Sequence, residues 1–200
     1  LIAIVDFGLG NLRSVEKAFE FLGVSAVIVE NPRQVDSASH LVLPGDAAFG
    51  DAISKLRKGG WVECIERSIA AGKPFLGICV GLQLMFSKSL ELGCHEGLGL
   101  FSGICERFQG SERVPHIGWN QISFENPSPL LNGISPGTYF YFVHSYCVHA
   151  AKSKAVLAST NYGIDFVSVV GSDGVFGVQF HPEKSQSGGL RLLKNFSRIN

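Results

Sequence analysis

The sequence lacks the features that would direct a chain to a membrane, to nucleic acid or to a disulfide-built scaffold. No apolar run approaches the roughly 18 to 20 residues that span a bilayer. The N-terminal Leu1-Ile2-Ala3-Ile4-Val5 stretch has no basic leader and ends in Asp6-Phe7-Gly8, so it reads as a buried first strand. Charge is scarce and balanced, 17 basic against 17 acidic side chains in 200 residues. With no local run of Lys or Arg, neither nucleic acid nor an anionic membrane is expected as a partner. The five cysteines, Cys64, Cys79, Cys94, Cys105 and Cys147, are odd in number and have no C-x-x-C spacing. That pattern fits free thiols in a reducing cytoplasm better than a disulfide framework or a zinc site. Cys94-His95 is an adjacent pair without further ligands, so no metal is expected. Gly8-Leu9-Gly10 follows a strand, but Arg13 stands where a dinucleotide fingerprint needs its third glycine, and there is no P-loop. No cofactor is expected.

What is plentiful is apolar surface, 46% of residues. This is enough for one substantial core, and no linker-like stretch divides the chain, so residues 1–200 read as one domain. Leu12, Val15, Phe19 and Leu22 recur at helical spacing, predicting a helix over 11–22 that ends at Gly23. Short apolar runs at 25–29, 40–43 and 74–78 alternate with helical patterns near 49–57 and 61–71. This alternation predicts an α/β fold with a mostly parallel central sheet flanked by helices. From Leu98 the pattern changes to short β-rich pieces at about 99–108, 113–125, 138–149, 155–159, 165–170 and 174–180, read as antiparallel additions. Leu190, Leu192, Leu193 and Phe196 close the chain with a helix.

Within this frame Gly77-Ile78-Cys79-Val80-Gly81 sets a cysteine between glycines, after the apolar Phe75-Leu76 and before a helical stretch from Leu82 to Phe86. A sharp strand-to-helix turn crowds its neighbours, and glycines on either side relieve the crowding. Cys79 is therefore expected to be held out as a nucleophile, with the Val80 N–H at the helix start available to a thiolate or oxyanion. Far downstream, Gly177-Val178-Gln179-Phe180-His181-Pro182-Glu183 ends an alternating strand on a histidine that Pro182 keeps extended. Glu183, two residues on, can then reach the imidazole from the same side, giving nucleophile, base and orienting carboxylate in chain order. Taken singly, a buried cysteine and a strand histidine are ordinary core residues; together, each in its own specialised turn, they read as a catalytic pair. Open α/β sheets bind ligands beyond the carboxyl ends of their strands, where Cys79 and Pro44-Gly45-Asp46-Ala47 both fall.

The combination G-x-C-x-G-x-Q at Gly77 to Gln83 with His181-Pro182-Glu183 resembles the class I glutamine amidotransferases over nearly the whole chain. More narrowly, Gly10-Asn11-Leu12-Arg13-Ser14, Pro115-His116-Ile117-Gly118-Trp119-Asn120, Tyr141-Phe142-Val143-His144-Ser145-Tyr146 and His181-Pro182-Glu183-Lys184-Ser185 resemble the glutaminase subunits of imidazole glycerol phosphate synthases, from histidine biosynthesis. The resemblance implies that Cys79, His181 and Glu183 hydrolyse glutamine through a glutamyl thioester. It assigns the oxyanion to N–H groups of Val80 and the Gly45-Asp46 region. Gln83 and Glu91 match positions that hold the substrate's α-amino end, and Ser145 and Tyr146 positions at its α-carboxylate. It also implies a heterodimer with a (β/α)₈-barrel cyclase, which receives ammonia through a sheltered channel, with Asn11, Arg13 and Trp119 at the interface. One departure stands out. The loop usually reads P-G-x-G in this family, whereas here it is Pro44-Gly45-Asp46-Ala47, placing a Cβ and a carboxylate where a peptide is thought to turn its N–H toward the oxyanion. Other readings are the same glutaminase serving a different synthase, a partner-free hydrolase of γ-glutamyl or peptide bonds, and a noncatalytic module on the same fold.

Overall fold

Ile2–Val5 (β1) is buried at every residue, and a strand without a polar face is stable only in a sheet covered on both sides. It pairs in parallel with Ala26–Val29 (β2) and with His40–Gly45 (β3). The computed structural model describes residues 1–109, 112–150 and 153–200. Leu12–Phe21 (α1) links β1 to β2 and buries Val15, Ala18 and Phe19 on one stripe. Phe49–Lys58 (α2) and Trp61–Ala70 (α3) carry the chain from β3 to Phe75–Cys79 (β4), which pairs in parallel with β3. These βα units follow the sequence pattern to within a few residues.

After β4 comes a five-residue helix, Val80–Leu84 (α4), and then strands Phe86–Ser89 (β5), His95–Glu96 (β6) and Phe101–Arg107 (β7). The expected helix through Phe86 is thus corrected: the helix begins two residues earlier and Phe86 already belongs to a strand. A solid apolar run such as Leu82 to Phe86 fits either period, and here Phe86 packs in the core beside Phe101. His116–Gln121 (β8), Ser123–Phe124 (β9), Tyr139–His144 (β10), Tyr146–His149 (β11), Val156–Tyr162 (β12), Ile164–Ser172 (β13) and Val175–Val178 (β14) precede the final helix Gln186–Phe196 (α5). The single strand expected over 138–149 breaks at Ser145. β10 pairs antiparallel with β8 in a separate two-stranded ribbon, and β11 joins the main sheet.

The main sheet runs β2-β1-β3-β4-β14-β13-β11-β7-β5-β6, with β12 on β13 and β9 on β12. β14 returns from the antiparallel region to lie parallel beside β4, pairing Gly177 with Gly77 and Val178 with Ile78. On β4's other side Gly45 pairs with Cys79. The register therefore brings three strand ends to one edge: Cys79, the loop after Gly45, and residues 179–181 just beyond β14. The ribbon is tied to the same place, because the His181 N–H donates to the Tyr141 carbonyl at 2.9 Å and Phe140 stacks on Phe180. Among the described residues, no helix is long and apolar enough to cross a membrane.

Candidate active site

Cys79 sits at φ 56°, ψ −110°, a conformation that L residues avoid and that costs about 1 to 3 kcal/mol where packing enforces it. The enforcement comes from the two glycines. A Cβ on Gly81 would lie 1.9 Å from the Leu43 carbonyl oxygen, and one on Gly77 would lie 2.6 Å from the Gly81 oxygen. Strand, turn and helix are thus in backbone contact, and the turn at Cys79 cannot relax into ordinary geometry. The expectation that Cys79 is held out is corrected in one respect: the residue is only 3% exposed. It lines a cavity of about 340 Å³ instead of standing in open solvent. The walls that bury it are the strand ends beside it, which sequence proximity alone does not reveal.

His181 lines that cavity with the cysteine, 102 residues on in the chain, and Glu183 lies behind it. Pro182 opens a short 3₁₀ turn over 182–184 and leaves His181 extended at φ −97°, ψ 97°. The His181 Nδ1–H donates to Glu183 Oε1 at 2.8 Å, with both side chains buried. Burial by itself would push the imidazole pKa down; interaction with the nearby Cys79 sulfur and with the hydrogen-bonded Glu183 carboxylate outweighs it and raises the ring to about 10. A complete hydrogen bond between Cys79 and His181, by distance and angle, is absent among the described residues. Contacts of this kind commonly tighten only when substrate arrives. Among the described residues, the buried Glu183 Oε2 has no hydrogen-bond partner.

The other residues expected at the site fall into two groups. Gln83, Glu91, Ser145, Tyr146, Val80, Asp46 and Asn11 line the same cavity as Cys79 and His181, with Gly45 immediately before Asp46. Arg13 and Trp119 do not line it. Arg13 is exposed and paired with Glu16, while Trp119 is 45% exposed on the ribbon, edge-on to Tyr141, and so is not a core tryptophan. Gln83 has little freedom, since its Nε2 donates to the Tyr146 carbonyl at 3.0 Å and to Gln179 Oε1 at 3.2 Å. Glu91 Oε2 accepts the Phe49 N–H at 2.7 Å, at the first residue of α2 and directly after the Gly45–Ala48 loop. Asp46 is exposed, so its carboxylate has access to solvent.

Gln179 was not among the expected site residues. It is fully buried, and its Nε2 lies 3.7 Å from the Cys79 sulfur as a donor. The signal was present in the sequence: along an extended segment, residues two apart share a face, so the amide at 179 points with the imidazole at 181. Lys184 also lines the cavity.

A buried cysteine on a strained strand-to-helix turn, facing a histidine that is braced by a carboxylate, is equipped for acyl transfer. The family model for class I glutamine amidotransferases matches residues 3–199, and the chain belongs to that family. Solved structures agree on the fold. A glutamine amidotransferase superposes with a TM-score of 0.75 at 19% identity, covering 99% of this chain and 97% of that one. PurLQS from Thermotoga maritima gives 0.78, also at 19% identity, covering 98% and 96%. Much nearer in sequence are proteins named imidazole glycerol phosphate synthase subunit HisH. The one from Syntrophotalea carbinolica is 48% identical over 98% of both chains, and that from Aquifex aeolicus is 50% identical over 98% of this chain and 95% of its own.

Proposed function

We propose that the chain is the glutaminase subunit of an imidazole glycerol phosphate synthase, working in the cytoplasm. The observation that carries this reading is the cavity shared by Cys79, His181 and the substrate-holding candidates Gln83, Glu91, Ser145 and Tyr146. Its volume suits one small amino acid. In the reaction the Cys79 thiolate forms a bond to the side-chain carboxamide carbon of glutamine, and the carbonyl electron pair moves onto oxygen. Backbone N–H groups of Val80 and of the Gly45-Asp46 segment stabilise that oxyanion. His181 passes its proton to the nitrogen, the C–N bond breaks and ammonia leaves, with a glutamyl thioester remaining. Water, deprotonated by His181, then attacks the thioester carbon. The S–C bond breaks, and glutamate and the thiolate are released. Glu183 holds the ring so that Nε2 faces the reacting atoms, and Gln179 donates to the sulfur.

The ribbon supplies the docking face for the cyclase subunit. Its register pairs Ile117 with Val143, Trp119 with Tyr141 and Gln121 with Tyr139 on one side. Ile117, Trp119 and Tyr139 on that side are 59%, 45% and 55% exposed, while Val143 borders the cavity. Aromatic anchors of this kind suit an interface, and one that starts at the cavity mouth would let ammonia cross without meeting bulk water. Asn11 and Arg13 extend the same contact in this reading. Cys79→Ala in the complex tests it. Glutamine-dependent synthesis should vanish while ammonia-dependent synthesis is kept. Equal loss of both would reduce Cys79 to a structural residue.

A further inference from the structure

The outer face of the ribbon is the proposed docking face; the inner face carries polar side chains that take no part in the bond-making steps above, and the last of them, His144, also borders the cavity of Cys79 and His181. His116, Asn120 and His144 lie inward with Phe140 and Phe142, and both imidazoles are buried. They form an unbroken chain of contacts. Asn120 Nδ2 is 3.3 Å from His116 Nε2, His116 Nδ1 is 3.1 Å from His144 Nε2, and His144 Nδ1 is 2.9 Å from the Tyr146 carbonyl oxygen. That oxygen also accepts from Gln83.

The direction of every bond in this chain follows from its two ends. At one end the Asn120 amide is oriented by backbone groups with fixed roles: its Nδ2 donates to the Asn161 carbonyl at 3.0 Å, and its Oδ1 accepts the Gln121 N–H at 2.8 Å. Asn120 therefore presents an N–H to His116, whose Nε2 must be a bare acceptor. At the other end a carbonyl can only accept, so His144 Nδ1 must carry the proton and its Nε2 must be bare. A neutral ring has one N–H, so His116 Nδ1–H donates to His144 Nε2, and the two deductions meet without contradiction. A proton added to either ring would face another N–H. Burial acts the same way, lowering His116 to about 4 and His144 to about 3. The His116 ring is further held between Tyr162 and Phe142, with centroids 4.0 and 5.0 Å away.

We propose that His116 and His144, both locked as neutral Nδ1–H tautomers, are positioning residues that fix the Ser145-Tyr146 segment of the glutamine site from the inner face of the partner-docking ribbon. The assignment deepens the glutaminase reading and rests on it for the kinetics, but the tautomers themselves do not. Long-range ¹H–¹⁵N correlation spectra of the full chain at neutral pH should show Nδ1 protonated and Nε2 bare in both rings. An Nε2–H tautomer or an imidazolium at either position overturns the proposal. His116→Phe keeps the stacking and removes two hydrogen bonds. In the complex it should raise KM for glutamine about tenfold, the effect of one lost positioning bond. It should leave kcat within threefold and ammonia-dependent synthesis unchanged. An unaltered KM, or an equal fall in ammonia-dependent synthesis, also overturns it. A wild-type chain with no glutaminase activity in any complex would defeat the functional reading while leaving the tautomers as deduced.

Discussion

Glu183→Gln separates what the carboxylate does for the ring from what it does for the fold. In the native site Glu183 Oε1 accepts from His181 Nδ1–H, and Oε2 has no partner among the described residues. The glutamine side chain fills the same space, and its carbonyl oxygen can keep the hydrogen bond only by placing an NH₂ in the partnerless Oε2 position. The negative charge that helps hold the imidazolium is lost in either orientation. The rise of His181 from 6.5 to about 10 corresponds to roughly 5 kcal/mol of preference for the charged ring. Cys79 and Glu183 supply that preference together, and losing the charge from a buried hydrogen bond to an imidazolium costs on the order of 2 kcal/mol. The sign follows. A folded pKa above the unfolded one contributes stability that is complete below about pH 6.5 and is lost as pH rises through about 10. Urea denaturation should therefore find the variant about 2 kcal/mol less stable near pH 6, with the gap closing toward pH 10. With burial no longer opposed by the carboxylate, the alkaline limb of kcat/KM for glutamine should move down by about one to three pH units. Loss of the orienting group from a comparable triad costs about 10⁴ to 3 × 10⁴ in kcat. A similar loss is expected here for glutamine-dependent turnover, with ammonia-dependent synthesis by the complex intact. Turnover within tenfold of wild type and an unmoved alkaline limb would refute the reasoning.

The backbone contacts around Cys79 and the double duty proposed for Glu91 lead to two further expectations. Gly81→Ala places a Cβ 1.9 Å from the Leu43 oxygen, so α4 must move by about 1 Å, costing about 1 to 3 kcal/mol of stability and about a hundredfold in turnover. A variant with wild-type urea midpoint and rate would show that the contact is slack. Glu91→Gln keeps an oxygen for the Phe49 N–H, whereas Glu91→Ala loses it. Only the alanine variant should lose about 1 kcal/mol of stability, while both raise KM for glutamine. If glutamine at 91 left KM unchanged, Glu91 would be a helix cap alone.

The parts of the site that could be read from sequence are those whose chemistry is written in consecutive residues. Gly77, Cys79 and Gly81 announce a crowded turn because glycine is the residue that tolerates backbone contact, and the structure shows a Cβ barred at both positions. His181, Pro182 and Glu183 likewise carry their geometry locally, since a proline-held extended residue and the residue two beyond it meet without help from the rest of the fold. The mostly parallel sheet was legible for the same reason: β1, β3 and β4 are apolar on both faces, and that pattern has few other homes. What could not be read depends on which strands lie side by side. The burial of Cys79 comes from the ends of β3 and β14 lying on either side of β4, and nothing within residues 75–81 encodes it. The end of α4 at Leu84 is decided by tertiary packing of Phe86, because an unbroken apolar run fits a helix and a strand alike. The histidine chain is the extreme case. His116 and His144 are 28 residues apart and meet only through the β8–β10 register. The direction of their hydrogen bonds is set by an asparagine amide at one end and a peptide carbonyl at the other. Each histidine alone looks like a satisfied core residue. A role emerges only when the ends of the chain are known, because two rings with one proton each admit a single arrangement between a fixed donor and a fixed acceptor.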